Sequence, residues 1–107
     1  MRKRKGWNDH MPKAYWVICH RSTSSLEKFA AFTRLAYPAI QAAGGRFLVR
    51  TSNVAKTYES GLNDRTVVIE FENLAKAMAA YDTPDYKQAL RALAGGAERD
   101  LRIVEGV

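Results

Sequence analysis

Apolar residues along the chain fall into two kinds of pattern. Ala14 to His20, Arg46 to Arg50, Thr66 to Glu72 and Leu101 to Glu105 are short runs rich in aromatic and β-branched residues, the composition of strands. Between them, Leu26, Phe29, Ala30, Thr33, Tyr37 and Ile40 recur near helical spacing. Leu74, Ala77, Met78 and Tyr81 do the same, and so do Tyr86, Leu90, Leu93 and Ala94.

Punctuating residues set the ends of these elements. Ser24 and Glu27 have the spacing of a capping box, in which hydroxyl and carboxylate each satisfy an N–H of the helix start, so the first helix is expected to begin there. Pro38 donates no backbone hydrogen bond and its ring crowds the carbonyl of Arg34, which predicts a kink or break. Gly44-Gly45 and Gly95-Gly96 read as helix stops. Asn73 is available as a cap for the second helical stretch, and Thr83-Pro84 starts the third, because Thr caps and Pro is tolerated at the first position. After Thr51-Ser52-Asn53, Val54 to Glu59 is expected to continue the second strand beyond a bulge, and residues 60–64 turn the chain into the third strand to form a hairpin.

This order predicts an α+β fold, a ferredoxin-like βαββαβ plan with both helical regions on one face of a four-stranded antiparallel sheet. The first strand is apolar on both faces, with Tyr15, Val17 and Cys19 on one and Trp16, Ile18 and His20 on the other. A sheet whose bare face is apolar needs a cover, and a second copy of the chain supplies it most simply, so a homodimer is expected. The alternative is a monomer covered by residues 51–64 and the N-terminal segment.

Composition narrows the possible partners. The length suits one domain, and 47% hydrophobic with 26% charged residues is an ordinary globular balance. Half of the net charge of +6 lies in the first ten residues, where Arg2, Lys3, Arg4 and Lys5 outnumber Asp9. Residues 1–10 therefore read as a basic extension and residues 11–107 as the domain. Beyond the extension, basic residues are spread among acids with no aromatic-plus-basic RNA motif, which argues against nucleic acid as a partner. No run approaches the roughly 18 apolar residues of a membrane span. The basic start leads into Gly6-Trp7-Asn8-Asp9-His10, not an apolar stretch, so it is a poor secretory signal. Cys19 is the only cysteine, which excludes an intrachain disulfide and favours the cytoplasm. His10, His20 and Cys19 are too few soft ligands for zinc, and the paired glycines lack the spacing of a phosphate loop, so neither metal nor cofactor is expected.

Several separated blocks carry a family resemblance. Met11-Pro12-Lys13-Ala14-Tyr15-Trp16-Val17, Gly44 to Arg50, Val67-Val68-Ile69-Glu70-Phe71, Thr83-Pro84-Asp85-Tyr86 and the ending Ile103-Val104-Glu105-Gly106-Val107 together resemble the family called domain of unknown function 1330, over residues 11–107. The resemblance implies a dimeric α/β barrel with a ferredoxin-like subunit, as in small bacterial cytoplasmic proteins of unassigned activity. The wider superfamily includes cofactor-independent monooxygenases, haem-degrading enzymes and muconolactone isomerases. Two positions depart from the family pattern. Phe71-Glu72-Asn73 stands where Phe-Pro-Ser is common, and no Trp follows Glu59-Ser60-Gly61-Leu62.

The residues themselves suggest a site. Glu70 shares a strand face with Val68, and a carboxylate amid apolar neighbours needs a partner, for which Arg50 is within reach. With His20 at the end of the first strand, Glu70 and His20 are the candidate catalytic acid and base. The competing reading is a structural Arg50–Glu70 ion pair with His20 near solvent. Tyr15, Trp16 and Tyr37, with Tyr81 and Tyr86, are candidates to line a pocket for a small molecule, with Arg46 or Arg50 as its anion partner, or else to form core. Cys19 is expected to be a buried small hydrophobe. The function class expected first is a cofactor-independent enzyme acting on a small organic molecule in a cleft of the barrel. The alternative is a non-catalytic ligand-binding or structural homodimer.

Overall fold

The sheet is organised around strand β1 (Ala14–Thr23), which pairs antiparallel with β3 (Thr66–Phe71) on one side and β4 (Ala97–Glu105) on the other. Strand β2 (Arg46–Thr51) completes the sheet at the far edge of β3, giving the order β2-β3-β1-β4. Helix α1 (Leu26–Ala42) connects β1 to β2, and α2 (Leu74–Tyr81) with α3 (Pro84–Leu93) connects β3 to β4. This is the expected ferredoxin-like α+β plan. The computed structural model of the chain describes residues 11–107. The basic extension at residues 1–10 lies outside the described residues.

One face of the sheet carries the core. Ala14, Trp16 and Ile18 of β1 and Val67, Ile69 and Phe71 of β3 are buried against Phe32, Ala36, Ala39 and Ile40 of α1, Ala77 and Ala80 of α2, and Tyr86, Ala89 and Leu93 of α3. Trp16 sits at the centre, its ring centroid 5.2 Å from Tyr86 and 5.3 Å from Phe71, and its Nε1 donates to the carbonyl of Ala77 at 2.8 Å. Gly45, where α1 hands over to β2, is needed for close approach. A Cβ there would lie 2.5 Å from Cγ2 of Ile40 and 3.0 Å from Ile69 and Phe71.

Among the described residues, no helix lies over the opposite face. Tyr15, Val17 and Val68 are half-buried there, Cys19, Val49 and Val104 are exposed, and the ion pairs Arg46–Glu70 and Arg102–Asp100 flank them. Cys19 is thus not buried as expected, because its parity sets it with Tyr15 and Val17.

Several element ends differ from the sequence reading. The N-cap of α1 is Ser25, whose hydroxyl accepts from Lys28 N at 3.2 Å. Ser24 instead donates through its backbone N–H to Gly96 O and through its hydroxyl to Gly95 O, tying the start of α1 to the α3–β4 turn. Pro38 lies inside α1 without ending it, since burial of Ala36, Ala39 and Ile40 on both sides outweighs one missing hydrogen bond. Val54 to Glu59 is not a strand, and the irregularity lies earlier, between Phe47 and Val49, where Leu48 is the extra residue. Strand β4 starts at Ala97, ahead of the expected Leu101.

Candidate functional site

His20 follows Trp16 and Ile18 on the helix-covered face and is 3% exposed. Among the described residues, neither of its ring nitrogens has a hydrogen-bond partner. A buried polar group without a partner costs roughly 1–3 kcal/mol, so its retention calls for a reason beyond packing. Its neighbours supply one. The His20 backbone N–H donates to Arg65 O at 2.9 Å, and His20 stands opposite Arg99 in the β1–β4 register. Arg65, immediately before β3, His20 of β1 and Arg99 of β4 therefore form a row across the sheet, on the face beneath α1.

The two guanidiniums are held in place without being neutralised. Arg65 stacks on Phe29, 5.6 Å from the ring centroid, and donates to the hydroxyl of Tyr37. Arg99 lies 4.6 Å from the centroid of Phe32 and donates to the hydroxyl of Tyr86 at 3.3 Å. Among the described residues neither forms an ion pair with a carboxylate. Phe29 also packs edge-on against the His20 ring at 4.7 Å. A guanidinium has five N–H donors, and each of these two directs one to a tyrosine.

Between these groups and the apolar side chains of Ile18, Phe32 and Val67 lies a cavity of about 30 Å³, room for about two water molecules. A wider polar cleft of about 350 Å³ also touches His20 and Arg65, but it is lined by Cys19, Thr66, Asp100 and Arg102 of the bare face and by the loop from Ser60 to Asp64. Burial pushes the imidazole of His20 below its ordinary value, with Arg99 and Arg65 adding to the effect and Asp64 opposing it. Burial also pushes the Tyr86 phenol up, which keeps its proton in place. A neutral imidazole in an apolar cavity with cations on both sides is a proton acceptor placed where a developing negative charge would be stabilised.

This environment fixes the sign of a pH effect. The unfolded chain binds a proton at His20 near pH 6.5, and the folded chain binds it only at lower pH. Stability contributed by His20 is therefore full above pH 6.5 and lost as pH falls from there through the folded value. Urea unfolding followed between pH 7.5 and 5 should show a loss that is absent from His20→Leu.

Glu70 lies on the other face. Its carboxylate accepts from Arg46 at 2.9 Å and 3.2 Å and from the Tyr15 hydroxyl at 3.3 Å. The Arg46 hydrogen bonds hold the carboxyl below the usual range. Arg50, the expected partner of Glu70, is instead 4.3 Å from the ring centroid of Tyr37 and 5.5 Å from that of Phe47, on the helix side. The bulge at Leu48 explains the correction, because one extra residue inverts the parity of everything after it. Glu70, His20 and Arg50 do not converge, and His20 is not near solvent. Of the proposed lining residues, Tyr37 borders the His20 cavity, Trp16 is core, and Tyr15 and Arg46 belong to the Glu70 cluster. Arg65 and Arg99 were not foreseen. Each stands two positions before a core-facing residue, Val67 and Leu101, so strand parity extended by one step marks both.

Among the described residues no helix is long and apolar enough to cross a membrane, and no group of three or more His, Cys, Asp or Glu could hold a metal ion.

The fold and this row of residues define a ferredoxin-like α+β domain with a small cavity between sheet and first helix. The chain belongs to the family described as Domain of unknown function (DUF1330), whose model matches residues 13–107. No curated protein matches it in sequence. Solved structures resemble it in fold. A Rhodopseudomonas palustris protein of unknown function superimposes with a TM-score of 0.68 at 16% identity, covering 94% of this chain and 86% of that one. SnoaB, a cofactor-independent oxygenase from Streptomyces nogalater, has a TM-score of 0.61 at 12% identity, covering 90% and 94%. A dimeric protein of unknown function and ferredoxin-like fold from Bacteroides fragilis has a TM-score of 0.53 at 17% identity, covering 88% and 96%.

Proposed function

We propose that the chain is a small-molecule enzyme that works by proton transfer from side chains alone, with His20 as the base. The observation that carries this reading is the buried, unpartnered imidazole between two guanidiniums that meet no carboxylate among the described residues. His20 takes a proton from a carbon next to a carbonyl, the C–H electron pair becomes the carbon–carbon π bond, the C=O π pair moves onto oxygen, and the field of Arg65 and Arg99 stabilises the resulting enolate. A structural dimer with no chemistry would gain nothing from this arrangement, since an apolar residue at position 20 would pack without an unsatisfied group. The cofactor-independent oxygenase among the fold neighbours is compatible with chemistry that needs no bound group. The test is solvent deuterium exchange into the α-positions of a panel of small ketones and oxo acids, read by NMR. Exchange above background is expected for at least one class and is lost in His20→Asn. A panel that exchanges at the same rate with both proteins would overturn the base role.

The bare sheet face supports a homodimer with the same site in each copy. Its half-exposed Tyr15, Val17, Val68 and Val104 match the isologous covering expected from sequence, and one fold neighbour is described as dimeric. Sedimentation equilibrium should give twice the chain mass of 12.0 kDa. Val68→Asp should shift the population to monomer, because a carboxylate buried without a partner disfavours the interface. The exposed free thiol of Cys19 suits a reducing compartment, the cytoplasm.

A further inference from the structure

The polar part of the cavity wall beneath α1 is one-sided in its hydrogen bonding. His20, Tyr37, Arg65, Tyr86 and Arg99 supply all of its polar side chains, and no carboxylate lines it. The remaining lining side chains are aliphatic or aromatic. Arg65 donates to the Tyr37 hydroxyl and Arg99 to the Tyr86 hydroxyl at 3.3 Å, so each hydroxyl oxygen serves as an acceptor and keeps its own hydrogen to give. A guanidinium can only donate, and each of these has N–H groups beyond the one its tyrosine takes. The His20 ring, 3% exposed, meets no partner among the described residues. Asp64, the carboxylate whose charge reaches His20, stands in the loop that borders the wider cleft and accepts the Arg65 backbone N–H at 2.6 Å. From β2, Arg50 adds a third positive charge behind the Tyr37 ring, 4.3 Å from its centroid.

Donors converging on a small, otherwise apolar space call for a single acceptor that carries negative charge. We propose that this cavity binds one inorganic anion of halide size, chloride under ordinary conditions, held by Arg65 and Arg99 with His20 between them. Size decides the class. The cavity of about 30 Å³ holds about two waters, enough for a halide, whereas sulfate and phosphate carry more heavy atoms than it can take. Charge decides between a halide and water, because water would leave two guanidiniums that meet no described carboxylate without a counter-charge. Both cations are already fixed, Arg65 by Phe29 and Tyr37 and Arg99 by Phe32 and Tyr86, so the ion need not order them. The inference goes beyond the proposed reaction and requires no proton transfer at His20.

The experiment measures binding on the full chain, with no substrate present. Protein labelled at the arginine and histidine side chains is prepared in sodium gluconate, and sodium chloride, bromide or sulfate is exchanged in at constant ionic strength while NMR follows the guanidinium and imidazole signals. Chloride and bromide should move Arg65, Arg99 and His20 together and saturably, and sulfate should move none of them. Arg65→Gln and Arg99→Gln should each weaken chloride by about tenfold, as expected for loss of a charge-assisted hydrogen bond. The contrast between chloride and sulfate in the wild-type protein keeps the test decisive if either variant fails to fold. Equal shifts with chloride and sulfate would show general screening and overturn the site. Chloride that leaves the Arg65 and Arg99 signals in place, or moves them without saturation, would overturn it as well.

Discussion

His20→Leu is expected to raise the stability of the folded chain by about 1 kcal/mol while abolishing any proton transfer at the site. The leucine fills similar space against Ile18, Phe29 and Phe32, and two buried nitrogens that meet no partner among the described residues are removed. It also leaves less polar density between Arg65 and Arg99, whose mutual repulsion reduces the gain. Urea denaturation with matched slopes gives the stability and deuterium exchange gives the activity. A histidine that served packing would behave in the opposite way, since its removal would lower stability and nothing else would change.

The largest loss of stability is expected from Trp16→Ala. The indole is 0% exposed and is surrounded by Phe71, Tyr81 and Tyr86 at centroid distances of 5.2–5.9 Å. Truncating a buried aromatic of this size costs about 3–5 kcal/mol, and the Ala77 carbonyl loses the donor that now meets it at 2.8 Å. For a domain whose whole stability is on the order of 5–15 kcal/mol, that loss removes a large share of it. Trp16→Phe separates the two contributions, because it keeps an aromatic ring in the core and removes only the hydrogen bond and part of the volume. Equilibrium urea unfolding of the three proteins should rank wild type above Phe and Phe well above Ala.

The order of the elements was legible because strand composition, helical spacing and turn residues agree with one another in each of them, and only the expected strand over Val54 to Glu59 is missing. The face of Glu70 was legible for the same reason, since Val67, Ile69 and Phe71 alternate without interruption. Its partner was not. Arg46 and Arg50 share parity only in an unbroken strand, and the bulge at Leu48 sends Arg50 over Tyr37 while Arg46 stays opposite Glu70. No residue type in Phe47-Leu48-Val49 announces a bulge, because neither glycine nor a turn residue is present. The site was half legible. His20 is marked by its type and by its parity with Trp16, but a strand beginning at Leu101 leaves Arg99 outside it, and Arg65 falls between the expected turn at residues 60–64 and the strand expected from Thr66. Register across strands, which depends on hydrogen bonding between distant segments, is what brings the three together.

In the proposed function His20 is an uncharged base held between two cations. The most direct test is the pH titration of the His20 ring nitrogens by NMR. The expected midpoint lies below the ordinary 6.5, because burial and the charges of Arg99 and Arg65 disfavour the protonated ring more than Asp64 favours it. A midpoint at or above 6.5 would contradict this reading.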